Sequence, residues 1–158
     1  MIHLHMVTVG KTGPSYLSEG EEEYLYRLRR YCRISVHTAK AEKIGEGRSD
    51  QEILKAEAQR MLRFVVPGSV LVALDRQGDM PDTLQLAKRL ERWQNECVRD
   101  VAFLIGGPLG LDSGIIRNAK WVFSLSRLTF NHDMARLILF EQLYRCFSWL
   151  KGEKYHKV

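Results

Sequence analysis

The sequence is poor in the features that mark secreted, membrane-bound or metal-organised proteins. Cysteine is scarce: Cys32, Cys97 and Cys146 are the only three, far apart and in no C-x-x-C spacing. An odd, scattered set argues against a disulfide framework or a zinc ribbon and suits a reducing, cytoplasmic setting. No metal-ligand cluster is visible along the chain, so no bound metal is expected. No apolar run approaches the roughly 18 residues a membrane helix needs. The opening Met1-Ile2-His3-Leu4-His5 lacks the basic and apolar regions of a secretory signal. Proline is also rare, at four residues, and no linker, repeat or low-complexity segment breaks the chain. Residues 1–158 therefore read as one domain. A strong excess of charge of one sign is absent as well. The formal net charge is only +5, which alone describes solubility better than a nucleic-acid footprint.

What remains is an ordinary globular composition, 45% apolar and 27% charged. It is large enough to bury a core without crosslinks. Strands alternate with helices throughout. Ile2–Val9 reads as a strand, stopped by Gly10-Lys11-Thr12-Gly13-Pro14. A helix then runs to about Tyr31, with Tyr24, Leu25, Leu28 and Tyr31 as its apolar stripe and Gly20 as a weak point. Ile34–Thr38 is a short strand. Ala39–Arg48 is charged and aperiodic, a candidate mobile loop.

Ser49 and Glu52 form a capping box before the next helix. Ser69–Leu74 and Val101–Ile105 are continuous apolar runs, as in central strands covered on both faces. Between them Asp82 or Thr83 caps a helix carrying Leu86, Ala87, Leu90 and Trp93. A short helix near Ser113–Ala119, a strand at Trp121–Ser126 and a helix from His132 to Leu150 complete the chain. About five strands separated by helices predict an α/β fold, a largely parallel sheet with helices on both faces.

Two patterns hint at a nucleotide-phosphate binder. Gly10-Lys11-Thr12 follows a strand, and Asp75-Arg76-Gln77-Gly78 fits D-x-x-G. A phosphate loop needs a glycine where His5 stands inside the strand, and no N-K-x-D motif is present, so this reading fails. The segment Ile105-Gly106-Gly107-Pro108-Leu109-Gly110 is more specific. It follows a buried strand, where open α/β sheets bind ligands and bare backbone can meet them. It is not a dinucleotide fingerprint.

Ser124-Leu125-Ser126-Arg127-Leu128-Thr129-Phe130-Asn131-His132 alternates hydroxyl and apolar residues. Such a half-buried loop must satisfy its backbone, either with the edge of a heterocycle or with its own side chains. The last helix is apolar around most of its circumference. One side suits its own sheet and another a second copy of the chain. Arg136 lies one turn past His132, so both can face one cleft. In the tail, Lys154-Tyr155-His156-Lys157 interleaves cations with an aromatic, which suits RNA or a solvated terminus.

Taken in order, V-G-K, A-L-D before Gly78, I-G-G-P-x-G, S-L-S-x-L-T-F-x-H and a terminal Y-H-K resemble one family over essentially the whole chain. It is the family of small trefoil-knot (SPOUT) methyltransferases that methylate N3 of a pseudouridine in large-subunit (23S) ribosomal RNA. The resemblance implies a C-terminal trefoil knot, a homodimer and S-adenosylmethionine as cofactor. By position, the cofactor would meet Leu74, Gly106, Leu125, Ser126, Arg127, Leu128, Thr129 and Phe130. His132, Arg136, Tyr155 and His156 would serve the methyl transfer, with no one of them chosen as base. The tail would complete the partner's site, and the substrate would be the large subunit or assembled ribosome. Asn131 departs from the family's proline; it can still cap the helix, and a looser knot loop is expected. The competing class is a non-catalytic RNA- or ribosome-binding module.

Overall fold

The computed structural model describes residues 1–157. It contains β1 (His3–Val9), α1 (Ser15–Leu28), β2 (Arg33–Ala39), α2 (Asp50–Leu62) and β3 (Val70–Asp79), followed by α3 (Thr83–Asn95), β4 (Asp100–Ile105), α4 (Ser113–Asn118), β5 (Trp121–Phe123) and α5 (His132–Leu150). All five strands join one parallel sheet in the order β2-β1-β4-β3-β5.

Alternation along the strands fills both faces. Leu4, Met6, Val72, Phe103 and Phe123 point to one side, under α1, α3 and α5. Val7, Val9, Ala73, Ala102 and Leu104 point to the other, against Ala58 and Met61 of α2 and Ile115 of α4. The caps behave as their residues dictate. Ser49 with Glu52, and Asp82 with Gln85, form reciprocal capping boxes. After β2, residues 40–48 are irregular and tethered to α2: Arg60 and Arg48 both pair with Glu42, whose amide donates to Glu57 at 3.2 Å.

Three details differ from the sequence expectation. First, β3 continues past Leu74 to Asp79. Leu74 and Asp79 both pair with Phe123, so residues 75–78 loop outward between them. At Gly78 a Cβ would lie 2.6 Å from the Phe123 backbone, so only glycine lets β3 and β5 touch there. Second, β5 is only three residues long, because Ser124 leaves the sheet after donating its amide to Asp79 at 2.7 Å. Third, the apolar girth of α5 is largely consumed within the chain, since the helix packs between α1 and α3 as well as on the sheet. Gly20 permits that packing: a Cβ there would sit 3.0 Å from Leu137.

Candidate functional site

Beyond the C-terminal ends of β3, β4 and β5 lies a cleft enclosing about 600 Å³ out to its open mouth. Leu74 comes from the end of β3, Ile105 and Gly106 from β4, and Phe123 and Ser124 from β5. Leu125, Ser126, Leu128, Thr129 and Phe130 form one wall, and His132 and Ala135 of α5 close the far side. The resemblance named eight cofactor residues, and seven of them line this cleft; Arg127 does not. Asp75 and Arg76, which are not among those eight, also line it.

Local chemistry explains how the walls stand. A Cβ on Gly106 would lie 2.2 Å from the carbonyl oxygen of Gly110. The turn closes on itself there, with Gly110 at φ +82° donating its amide to Gly107 at 2.9 Å. Gly106 is therefore required by the tight turn that forms the cleft floor. In the wall, Ser124 donates its hydroxyl to the Ser126 carbonyl at 2.8 Å, and the Ser126 hydroxyl accepts the Leu128 amide at 3.0 Å. The loop thus satisfies part of its backbone with its own side chains. The amides of Ser126, Thr129 and Phe130 donate to no other group among the described residues, which leaves donors available to a ligand edge. Asn131 caps α5, its side chain accepting the Asp133 amide at 2.9 Å.

The expected grouping of His132 with Arg136 is corrected. His132 lines the cleft, but Arg136 is only 2% exposed and turns toward the end of β1. Its guanidinium donates to the Val9 carbonyl, to Gly10 O at 3.0 Å and to the Thr12 hydroxyl at 3.3 Å. Asp133 lies 3.5 Å from it, and the Thr12 hydroxyl donates to Glu21 at 2.6 Å. Burial lowers the Arg136 pKa against the pull of Asp133 and Glu21, and burial raises that of Glu21. Gly10-Lys11-Thr12 is thus a docking turn for an arginine. No sequence signal distinguishes such a buried arginine from one facing a cleft.

Tyr155 and His156 lie away from this chain's own cleft. Tyr155 packs edge-on against Tyr144, with ring centroids 4.7 Å apart, beneath the Arg145 guanidinium. Its hydroxyl donates to Glu141 at 3.2 Å and lies 3.3 Å from that of Tyr24. Burial is the main cause of its raised pKa, and the Tyr24 bond adds to it. His156 Nδ1 lies 3.4 Å from Arg145. The tail is docked through these contacts.

Comparison with known proteins places the architecture. The model of the family described as Predicted SPOUT methyltransferase matches residues 2–156. The chain belongs to this family. It is 43% identical to the ribosomal RNA large subunit methyltransferase H of Moorella thermoacetica, over 99% of this chain and 100% of that protein. Identity to the protein of the same name from Dechloromonas aromatica is 45%, over 98% of this chain and 97% of that one. Among solved structures, a probable methyltransferase from Bordetella pertussis Tohama I superposes with a TM-score of 0.55 at 12% identity, covering 92% of this chain and 96% of that chain, a likeness of fold. Among the described residues, no helix is long and apolar enough to cross a membrane. At the other end of the sheet His3, His5 and Asp100 converge, a grouping of ligand-type side chains that their spacing along the sequence does not show.

Proposed function

We propose that this SPOUT methyltransferase uses S-adenosylmethionine to methylate N3 of a pseudouridine in large-subunit ribosomal RNA, acting as a homodimer on the large subunit or assembled ribosome. The observation that carries the reading is the cleft between the Gly106 turn and the Leu125–Phe130 wall. It belongs to a chain whose full-length relatives bear the name of a large-subunit rRNA methyltransferase. Apolar walls from Leu74, Ile105 and Phe130 suit a flat heterocycle, and the free amides of the loop suit its polar edge. A knotted passage of the chain at the Gly78–Phe123 contact is part of the proposal.

When bound, S-adenosylmethionine supplies an electrophilic methyl for direct in-line transfer. Its carbon–sulfur bond would break as the nitrogen–carbon bond forms, the thioether being the leaving group, and the N3 proton would pass to a base or to water. His132, at the cleft wall, holds the position from which a side chain can accept or relay that proton. Leu74, Ile105 and Phe130 exclude water, and the rigid turn fixes the angle of approach. Tyr155 and His156 of one protomer hold the target nucleotide at the partner's cleft, by stacking and phosphate contact.

Deleting residues 154–158 tests this division of labour. Methylation of ribosomes, followed by mass analysis of the modified nucleoside, should be abolished, while calorimetric affinity for S-adenosylmethionine stays within about twofold. Full activity after deletion would sink the role of the tail. Cofactor binding with no transfer to ribosomes, subunits or free RNA would favour the non-catalytic module.

A further inference from the structure

The N-terminal end of the sheet carries a second constellation, distant from the cleft. Parallel register sets His3 of β1 beside Asp100 of β4, and the two-residue period puts His5 on the same face. Ligand atoms of the three lie within 4.8 Å of one another. His5 Nε2 is 2.8 Å from Asp100 Oδ1, and His3 Nδ1 is 3.6 Å from the same oxygen. Each imidazole has its other nitrogen engaged by β2: His3 Nε2 with the Ser35 hydroxyl at 2.8 Å, and His5 Nδ1 with His37 Nε2 at 3.2 Å. His37 is in turn stacked on Phe64 at 5.2 Å.

We propose that His3 Nδ1, His5 Nε2 and an Asp100 carboxylate oxygen form a site for a divalent transition metal of the zinc type, with solvent in the fourth position. Histidines that ligate metals characteristically have the remote nitrogen fixed by an outer partner, and both do here. Tetrahedral zinc with bonds of about 2.0–2.2 Å places its ligand atoms roughly 3.3–3.5 Å apart. The observed 2.8 and 3.6 Å bracket that spacing. Two imidazoles with one carboxylate favour zinc over calcium or magnesium, which prefer all-oxygen shells. His5 is nearly buried, whereas the His3 and Asp100 side chains are 20% and 27% exposed, which leaves a path for the ion. The bound ion would fasten β1 to β4, with β2 holding the ligands in place.

The experiment is a Zn2+ titration of tag-free, chelator-stripped protein by calorimetry, with thermal melting in parallel and Co2+ absorption to report a tetrahedral shell. One Zn2+ per chain is expected, with Tm rising by roughly 5–10 °C at about one hundred times Kd. His3→Gln and Asp100→Asn should each weaken binding at least about 100-fold, and Ser35→Ala roughly tenfold. Cys97→Ser should leave it unchanged. Binding weaker than about 100 μM in the wild type overturns the site. So does affinity that survives both ligand substitutions or disappears with Cys97. If Asp100→Asn does not fold, His3→Gln, at a partly exposed position, decides alone.

Discussion

At the C-terminal end of the sheet the cleft is built by loops, from consecutive residues whose glycines and hydroxyls shape the backbone. At the N-terminal end the His3–His5–Asp100 cluster is built by the strands themselves, from side chains separated by nearly a hundred positions and brought together by register. The first arrangement depends on turn geometry and the second on sheet pairing. Damage to one should therefore leave the other intact.

Gly106→Val gives the sharpest break in that comparison. The new Cβ meets the Gly110 backbone, and detectable S-adenosylmethionine binding should be lost, a change of at least about 100-fold by calorimetry. Affinity at the His3 site should be unchanged. Arg136→Met should destabilise the chain by about 3–5 kcal/mol in urea unfolding. It strips the Val9 and Gly10 carbonyls of their donor and removes the arginine cation beside the buried Asp133. Unaltered stability would mean that water replaces the guanidinium. Asn131→Ala should cost about 1 kcal/mol through the lost cap and loosen the adjoining wall. Ser49→Ala should cost a similar amount, about 1 kcal/mol, with no effect on the cleft. The smallest effect should come from His3→Gln without metal, within about 0.5 kcal/mol, because that ring is partly exposed.

The same contrast explains what could be read from the sequence. Alternating apolar runs and caps such as Ser49–Glu52 determine local structure, so the order of elements and the span of α5 were legible. Part of the cleft lining was legible because Ile105 and Gly106 open one contiguous motif and Ser124 to Phe130 form another, although their reading as cofactor contacts came from the family resemblance. Asp75 and Arg76 were not assigned to it, because nothing in D-x-x-G shows that β3 makes its detour around Phe123. Arg136 was assigned to the wrong side, since helical spacing from His132 fixes an angle but not which neighbour supplies acceptors. The histidine cluster was invisible, because its members meet only after β1 has chosen β4 and β2 as neighbours.

Arg136 links the last helix to the first strand, and this sets an order of events during synthesis. Val9 and Gly10 leave the ribosome early, but the guanidinium that satisfies their carbonyls lies near the end of the chain. Until α5 emerges, the end of β1 is hydrated and the wall that α5 supports has no anchor. The cleft is therefore complete only when α5, which supplies His132 and Ala135 to its far side, has docked.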